Sequence, residues 1–286
     1  MNYEPSNVNV SIITVCYNAA KELPMTIESV LAQDYDDFEY IIKDGASGDD
    51  SLRILDSYRE RFSERGITYK VISEADGGIY DAMNKGVLVA EGTWINFMNA
   101  GDCFYSSTVL SQIFSDKSYP TSAILYGDCA EYEYGRFYLF PKNMEGIRSV
   151  MPFSHQATFA NRSLLLRLPF KCEYRYSADY DFLLSAYDRE LHFTDVGCVV
   201  CITNKDGVSS VNYHDMLNES ADILKNHGVA PMSGSQAAGR ERSLKIKQFI
   251  LDHFPDFIKK FIRGVQIKLR HQNFDYVIPP WYKINE

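Results

Sequence analysis

Residues 73–102 read SEADGGIYDAMNKGVLVAEGTWINFMNAGD. A loop carrying Glu74, Asp76, Gly77 and Gly78 opens into a helical pattern, with Ile79, Met83 and Val87 at four-residue spacing on its expected inner face. Gly92 ends that pattern, and Trp94-Ile95-Asn96-Phe97-Met98 reads as a short buried strand. The strand runs out into Asn99-Ala100-Gly101-Asp102. Helix, strand and a polar turn at the strand's carboxyl end make one unit of an open α/β sheet, and that end is where such sheets bind ligands. An acidic group there, with no apolar role to play, points to a metal or phosphate site.

Upstream, VNVSIITVCY (residues 8–17) reads as a buried strand ending at Asn18, followed by a helix over 21–32 with Pro24 in its first turn. Residues 38–43 form a second strand, which ends in Asp44-Gly45-Ala46-Ser47-Gly48-Asp49. A helix over 50–62, capped by that Ser/Asp cluster, and a strand over 67–72 complete the rhythm of a parallel, doubly wound sheet. Parallel strands bring their carboxyl ends to one edge, so Asn18, Asp44 and the 99–102 turn should converge there as a nucleotide pocket. Neither GxGxxG nor a Walker lysine loop is present. Asp44 on its own reads as a turn residue or helix cap. Asp81 and Lys85 are either a solvated i,i+4 pair or ligand contacts.

Downstream, a helix is expected over 107–114 and strands over 123–130 and 137–140, an antiparallel addition joined by the turn EYEYGR. Residues 141–152 read as an irregular, mobile loop over the site. His155-Gln156 follows, then a short helix over 162–167. Ser177 reads as the N-cap of a helix with Asp179 and Asp181 in its first turn, where carboxylates are favoured in any case. A strand over 191–203, a polar loop over 203–213 and a helix over 216–225 come next. Residues 228–239 are a Gly/Ser/Ala linker. Beyond it, 243–269 is a basic amphipathic helix or helix pair broken at Pro255. It fits either an anionic membrane surface, contacted through residues 240–270, or packing on the body or in a homodimer.

The 286 residues carry a formal net charge of −9, which argues against nucleic acid as a partner. The charge is uneven: from Arg240 onward there are ten Lys/Arg and five Asp/Glu, against 19 and 33 before it. Six scattered cysteines indicate a reducing compartment, and Cys198-Val-Val-Cys201 falls in an apolar run where i and i+3 face opposite ways. The amino terminus has no signal-peptide pattern, and no apolar run approaches the roughly 18 residues of a membrane span. The expected location is cytoplasmic, at most peripheral at the inner face of the membrane.

SEADGGIYDAMNKG followed by NFMNAGD, together with DGASGD, HQATF and SADYDF, closely resembles the family 2 glycosyltransferases of the GT-A fold, within them the colanic-acid and exopolysaccharide branch. The resemblance covers roughly residues 9–204. It implies an α/β fold, a doubly wound, mostly parallel sheet with an antiparallel acceptor-side addition and a C-terminal helical element. The catalytic domain would span 1–227, the linker 228–239 and the helical element 240–286. It implies an inverting transferase moving a sugar from a nucleotide sugar, most simply a UDP-sugar, to a glycan or lipid-linked acceptor. Asp102 becomes the ligand of Mg²⁺ or Mn²⁺, with Asn99 standing where the family has Asp. Tyr17, Asn18, Asp44, Asp76, Asp81, Asn84, Asn99 and Ala100 become nucleotide contacts. His155 and Gln156 become acceptor or diphosphate contacts. Asp179 becomes the general base, with Asp181 the alternative and Ala178 at the place of the family's paired Glu. The rival readings are a non-catalytic nucleotide- or glycan-binding relative and a sugar nucleotidyltransferase; the latter would need a basic Gly-rich loop that SIITVCYNAAKELP lacks.

Overall fold

A computed structural model describes residues 8–133, 136–140, 142–203, 213–230, 276 and 278–282. Its amino-terminal half is a parallel sheet in the order β3 (Thr68–Ser73), β2 (Phe38–Asp44), β1 (Val10–Cys16), β4 (Trp94–Phe97). Val10 lies opposite Phe38 on one side and Trp94 on the other, and Cys16 opposite Asp44. The carboxyl ends of β1, β2 and β4 therefore reach the same edge, as their polar termini predict.

The sheet continues through β8 (Thr158–Asn161), antiparallel between β4 and the long strand β6 (Ala123–Glu133). On its other edge β6 pairs in parallel with β9 (His192–Thr203), which meets β5 (Cys103–Phe104) antiparallel; β7 (Arg136–Phe140) pairs with the distal half of β6. The two short strands β5 and β8 were not anticipated. The two residues of β5 are too few for a pattern, and the four of β8 run straight into α6 with no turn residue between to mark the strand's end.

Successive residues of β1 point to opposite faces and build two cores. Ile12 packs with Leu23 and Ile27 of α1 (Leu23–Leu31) and with Phe62 of α3 (Arg59–Glu64). Ile13 packs with Met83 and Val87 of α4 (Ile79–Val89) and with Leu183 of α7 (Ala178–Tyr187). The helix expected over 50–62 is two helices, α2 (Ser51–Ser57) and α3, meeting at Tyr58, where Ser57 Oγ turns back onto the Ile54 carbonyl. The inner face of α4 is also shifted. Ile79 is 40% exposed, and Tyr80, Ala82, Met83, Gly86 and Val87 are buried. Ile79 opens the helix beside the Gly77–Gly78 loop, so the larger Tyr80 ring takes the inward place. A Cβ on Gly86 would stand 2.8 Å from Ile13 Cγ2, so glycine there lets α4 lie close on β1.

The remaining helices are α5 (Val109–Phe114), α6 (Arg162–Arg167) and α8 (Tyr213–Asn226), with a 3₁₀ turn at His155–Ala157. Residues 142–153 are irregular as expected but are pinned to the body: Ile147 and Phe153 are buried, and the Ile147 carbonyl accepts from Tyr180 Oη at 2.6 Å. Near the carboxyl end the chain returns to the sheet. Trp281 Nε1 donates to the Phe104 carbonyl at 2.9 Å, and Tyr276, Trp281 and Tyr282 pack against Cys103, Ala130, Phe137 and Ile202. The polar loop over 204–212, the linker beyond 230 and the helical element over 240–270 lie outside the described residues. Among the described residues, no helix is long and apolar enough to cross a membrane.

Candidate active site

At the carboxyl end of β1 the chain turns through Asn18, whose φ is +49°. Asn18 Oδ1 accepts from Gly48 N at 2.8 Å and its own N–H donates to Ser47 Oγ, so the ends of β1 and β2 are tied together. Asp44 is fully buried beneath this junction. It accepts from Ser47 N at 3.0 Å, Ser73 Oγ at 2.6 Å, Ser47 Oγ and Cys16 Sγ. Burial raises its pKa, but the Ser47 and Ser73 hydrogen bonds outweigh that and hold the carboxyl below its ordinary range. Tyr17 is 67% exposed. A Cβ on Gly45 would come within 2.9 Å of Asp76 Oδ2 and 3.4 Å of the Tyr17 ring, so these three residues converge on one spot. Asp76 also accepts from Gly78 N.

Two α4 residues have local work. Asp81 accepts from Gly77 N at 2.8 Å and pairs with Lys85 at 2.9 Å; the backbone bond first, then Lys85, lowers its pKa. Asn84 spends both ends of its amide on the backbone of Phe170, at 2.8 and 3.0 Å. It fastens α4 to the segment before α7.

The Asn99–Asp102 turn is organised from α1. Thr26 Oγ1 donates to the Asp102 carbonyl at 2.7 Å and accepts from Gly101 N at 3.0 Å. Gly101 has φ +98°, a conformation glycine adopts without cost. The Asp102 carboxylate is nearly buried and accepts from Gln156 Nε2 at 2.9 Å. Ala100 is half-buried, its N–H bound to the Val15 carbonyl. Asn99 is 8% exposed; its Nδ2 lies 3.3 Å from His155 Nε2, and its Oδ1 is buried without a partner.

His155 links this turn to the helix beyond. Its Nδ1 is 2.9 Å from Asp179 Oδ2. Asp179 Oδ1 accepts from Tyr80 Oη at 3.0 Å and from Tyr180 N at 2.9 Å. Burial pulls the His155 pKa down, but Asp179, and behind it Asp102, raise it above the ordinary value. A neutral ring accepts from Asn99 Nδ2. An imidazolium needs the amide turned over, and that rotation gives the orphaned Asn99 oxygen its donor. Behind the pair the lining is apolar: Ile95, Phe97, Ala160, Leu165, Phe182 and Leu183.

Asp181 is not part of this chain of contacts. It is buried, and Lys171 Nζ at 2.9 Å and His227 Nε2 at 3.2 Å meet its Oδ1. Ser177 does precede α7, but its hydroxyl makes no cap.

Residues 11–180 match the family model described as glycosyl transferase family 2. The chain belongs to this glycosyltransferase family. A PGL/p-HBAD biosynthesis glycosyltransferase of Mycobacterium tuberculosis is 33% identical over 189 residues, 62% of this chain and 69% of that protein. The glycosyltransferase EpsJ of Bacillus subtilis is 26% identical over 233 residues, 73% of this chain and 65% of that one. Among solved structures, the fold resembles Staphylococcus aureus TarS 1–349 in complex with UDP-GlcNAc, with a TM-score of 0.60 at 18% identity over 90% of this chain and 79% of that one. It also resembles the mannosyltransferase PcManGT of Pyrobaculum calidifontis in complex with GDP-Man and Mn²⁺, with a TM-score of 0.62 at 16% identity over 93% and 84%.

The expected GT-A architecture is therefore the observed one, and this member of glycosyl transferase family 2 is a glycosyl-transferring enzyme. Two residues bonded to the candidate site escaped the sequence reading: Thr26 and Tyr80. Thr26 and Tyr80 sit inside ordinary helical patterns. Only the spatial neighbours, 76 and 99 residues away, make them site residues.

Proposed function

We propose that this glycosyltransferase uses a UDP-sugar and transfers the sugar, with inversion, to a hydroxyl of a glycan or lipid-linked acceptor in bacterial-type surface polysaccharide synthesis. The observation that carries this reading is His155, which bridges Asp179 to Asn99 and so joins a base to the turn that faces a diphosphate. Asp179 takes the acceptor proton through Oδ2, the oxygen that accepts from His155 alone among the contacts seen. Oδ1 is held by Tyr80 and Tyr180, which fixes the carboxylate's direction before the acceptor arrives. Tyr17, Asn18, Asp44 and Asp76 receive the nucleoside at the ends of β1 and β2.

Among the described residues, no three His, Cys, Asp or Glu side chains surround one point. The turn offers the Asp102 carboxylate and the unpartnered Asn99 carbonyl, both hard oxygen donors. That set fits Mg²⁺ or Mn²⁺, which take few protein ligands and complete their shell with phosphate and water oxygens. Asp102 would hold the ion, and Gln156 sets the carboxylate's orientation. When bound, the ion neutralises charge developing on the departing diphosphate.

The test is release of nucleoside diphosphate from a panel of UDP- and GDP-sugars with Mn²⁺, for wild type, Asp102→Ala and Asp179→Ala. Release from one UDP-sugar, lost in both variants, is the expected result. Release only from GDP-sugars would overturn the donor assignment. Equal release by wild type and Asp179→Ala would overturn the base.

A further inference from the structure

We infer that Glu219, on α8, is a positioning residue for Asp179: its carboxylate fixes the backbone from which the catalytic helix starts. The inference rests on the reading of Asp179 as the base. A helix leaves its first N–H groups without internal partners, and the residue before it normally supplies a side-chain cap. Ser177 holds that place in front of α7, yet its hydroxyl faces α8, 3.4 Å from both the Met216 carbonyl and Ser220 Oγ. Glu219 supplies the acceptors instead. Oε1 accepts from Arg175 N at 2.7 Å, and Oε2 accepts from Tyr176 N at 2.7 Å and Ser177 N at 3.1 Å. One carboxylate holds three consecutive N–H groups, by charge-assisted bonds and at the helix end where negative charge is favoured.

Asp179 lies two residues beyond the last of them. Tyr80, His155 and Tyr180 N aim its side chain, whereas Glu219 anchors its main chain. The anchoring continues along α8: Asn226 Nδ2 donates to Tyr174 Oη at 3.0 Å, and His227 bridges Asp181 and Asp188 at 3.2 and 2.5 Å. Burial, then Asp179 and also Glu219, raise the pKa of the Tyr80 phenol, so the charge of Glu219 is felt at the group that donates to Asp179. The family match ends at residue 180. By this inference the working site includes a helix that the family pattern does not cover.

Without the Glu219 carboxylate, residues 175–177 must find water partners and the start of α7 shifts. A displacement of about 1 Å at a reacting group costs on the order of 100-fold in rate. The experiment measures kcat and KM for the accepted sugar nucleotide, and Kd for UDP, in five proteins: wild type, Glu219→Gln, Glu219→Ala, Asp179→Asn and the double variant Asp179→Asn/Glu219→Ala. Glu219→Ala should lower kcat by roughly 10- to 100-fold and leave KM and the UDP Kd within about 2-fold. Glu219→Gln should fall between, since one amide oxygen still accepts. The double variant should be no slower than Asp179→Asn, because a positioning residue has nothing left to position. Wild-type kcat in folded Glu219→Ala, or losses that multiply in the double variant, would overturn the inference and leave the base assignment intact. Wild-type kcat in Asp179→Asn would overturn both. Should Glu219→Ala not fold, the isosteric Glu219→Gln carries the test, with wild-type kcat as the overturning result.

Discussion

His155 Nδ1 and Asp179 Oδ2 lie 2.9 Å apart, and the far side of the same imidazole meets Asn99. Asp179 is thus held by a ring, a phenol and a backbone N–H, while His155 touches both halves of the site. Asp179→Asn keeps the size and most of the contacts but cannot accept a proton. It should lower kcat by about 10²- to 10⁴-fold with donor affinity retained. His155→Gln should cost less, because the carboxylate remains and loses one of its three supports. Steady-state donor turnover separates the two. An equal loss in both would mean that the ring, and not the carboxylate, moves the proton.

The same pair makes stability depend on pH. Burial opposes charging of His155, yet Asp179 and Asp102 raise its folded pKa above the ordinary value of about 6.5. A raised folded pKa means that the folded state binds the proton more tightly than the unfolded chain does. The stabilisation is therefore fully present below about pH 6.5 and is lost as pH rises through the folded value. Urea unfolding of wild type and His155→Gln should differ most near pH 5.5 and converge toward about pH 9. A gap that stays constant across that range would mean a ring neutral throughout.

Asp102 and Gln156 test the metal end. Asp102→Asn removes the charge and keeps the shape, so Mn²⁺ should no longer strengthen UDP binding, while metal-free UDP binding stays near wild type. Gln156→Leu removes the donor that orients Asp102 and should weaken the Mn²⁺ effect by roughly 10- to 100-fold without abolishing it. Calorimetry of UDP with and without Mn²⁺ reads both. Mn²⁺-dependent tightening that persists in Asp102→Asn would move the ligand elsewhere.

The parallel half of the fold was legible because each strand there is a bounded run that ends in a polar residue at one sheet edge. That logic brought Asn18, Asp44 and the 99–102 turn together. It failed for β5, which is two residues long, for β8, which runs straight into α6, and for Ile79, where four-residue spacing alone could not tell an inner position from an exposed first turn. Site residues with a chemical signature, such as Asp102, His155 and Asp179, stand out in the sequence. Thr26 and Glu219 do not. Their role is to satisfy backbone groups 75 and 42 residues away, and no local spacing encodes such a partner.

Trp281 ties the carboxyl end of the chain to the strand that follows the turn. Its Nε1 donates to Phe104 O, two residues beyond Asp102, and its ring packs against the cluster of Cys103, Ala130, Phe137 and Ile202. Trp281→Phe keeps an aromatic ring and loses the hydrogen bond, leaving a buried carbonyl to find another partner. Stability should fall by about 1–2 kcal/mol in denaturant unfolding. Donor turnover should change by less than about 3-fold, as the Trp281 hydrogen bond goes to Phe104 O and not to a side chain of the 99–102 turn. A large kcat loss at preserved stability would instead make the tail part of the working site.

Thr26 gives the sharpest separation of turn geometry from turn chemistry. Its hydroxyl bonds α1 to the 99–102 turn, donating to Asp102 O and accepting from Gly101 N. Thr26→Val is nearly isosteric, and Thr26→Ser retains the hydroxyl but loses a methyl from a fully buried position. Val removes the hydrogen bonds to both a buried carbonyl and a buried N–H, which should cost about 1–3 kcal/mol in unfolding experiments. The turn can recover those bonds only by moving, so Mn²⁺-dependent UDP binding should weaken along with stability. Ser should lose a comparable amount of stability through the missing methyl, on the order of 1 kcal/mol, and keep metal-dependent binding close to wild type. If both variants bind UDP and Mn²⁺ as wild type does, the hydroxyl holds the fold without setting the site. If both lose binding equally, the packing of α1, and not its hydrogen bonds, places Asp102.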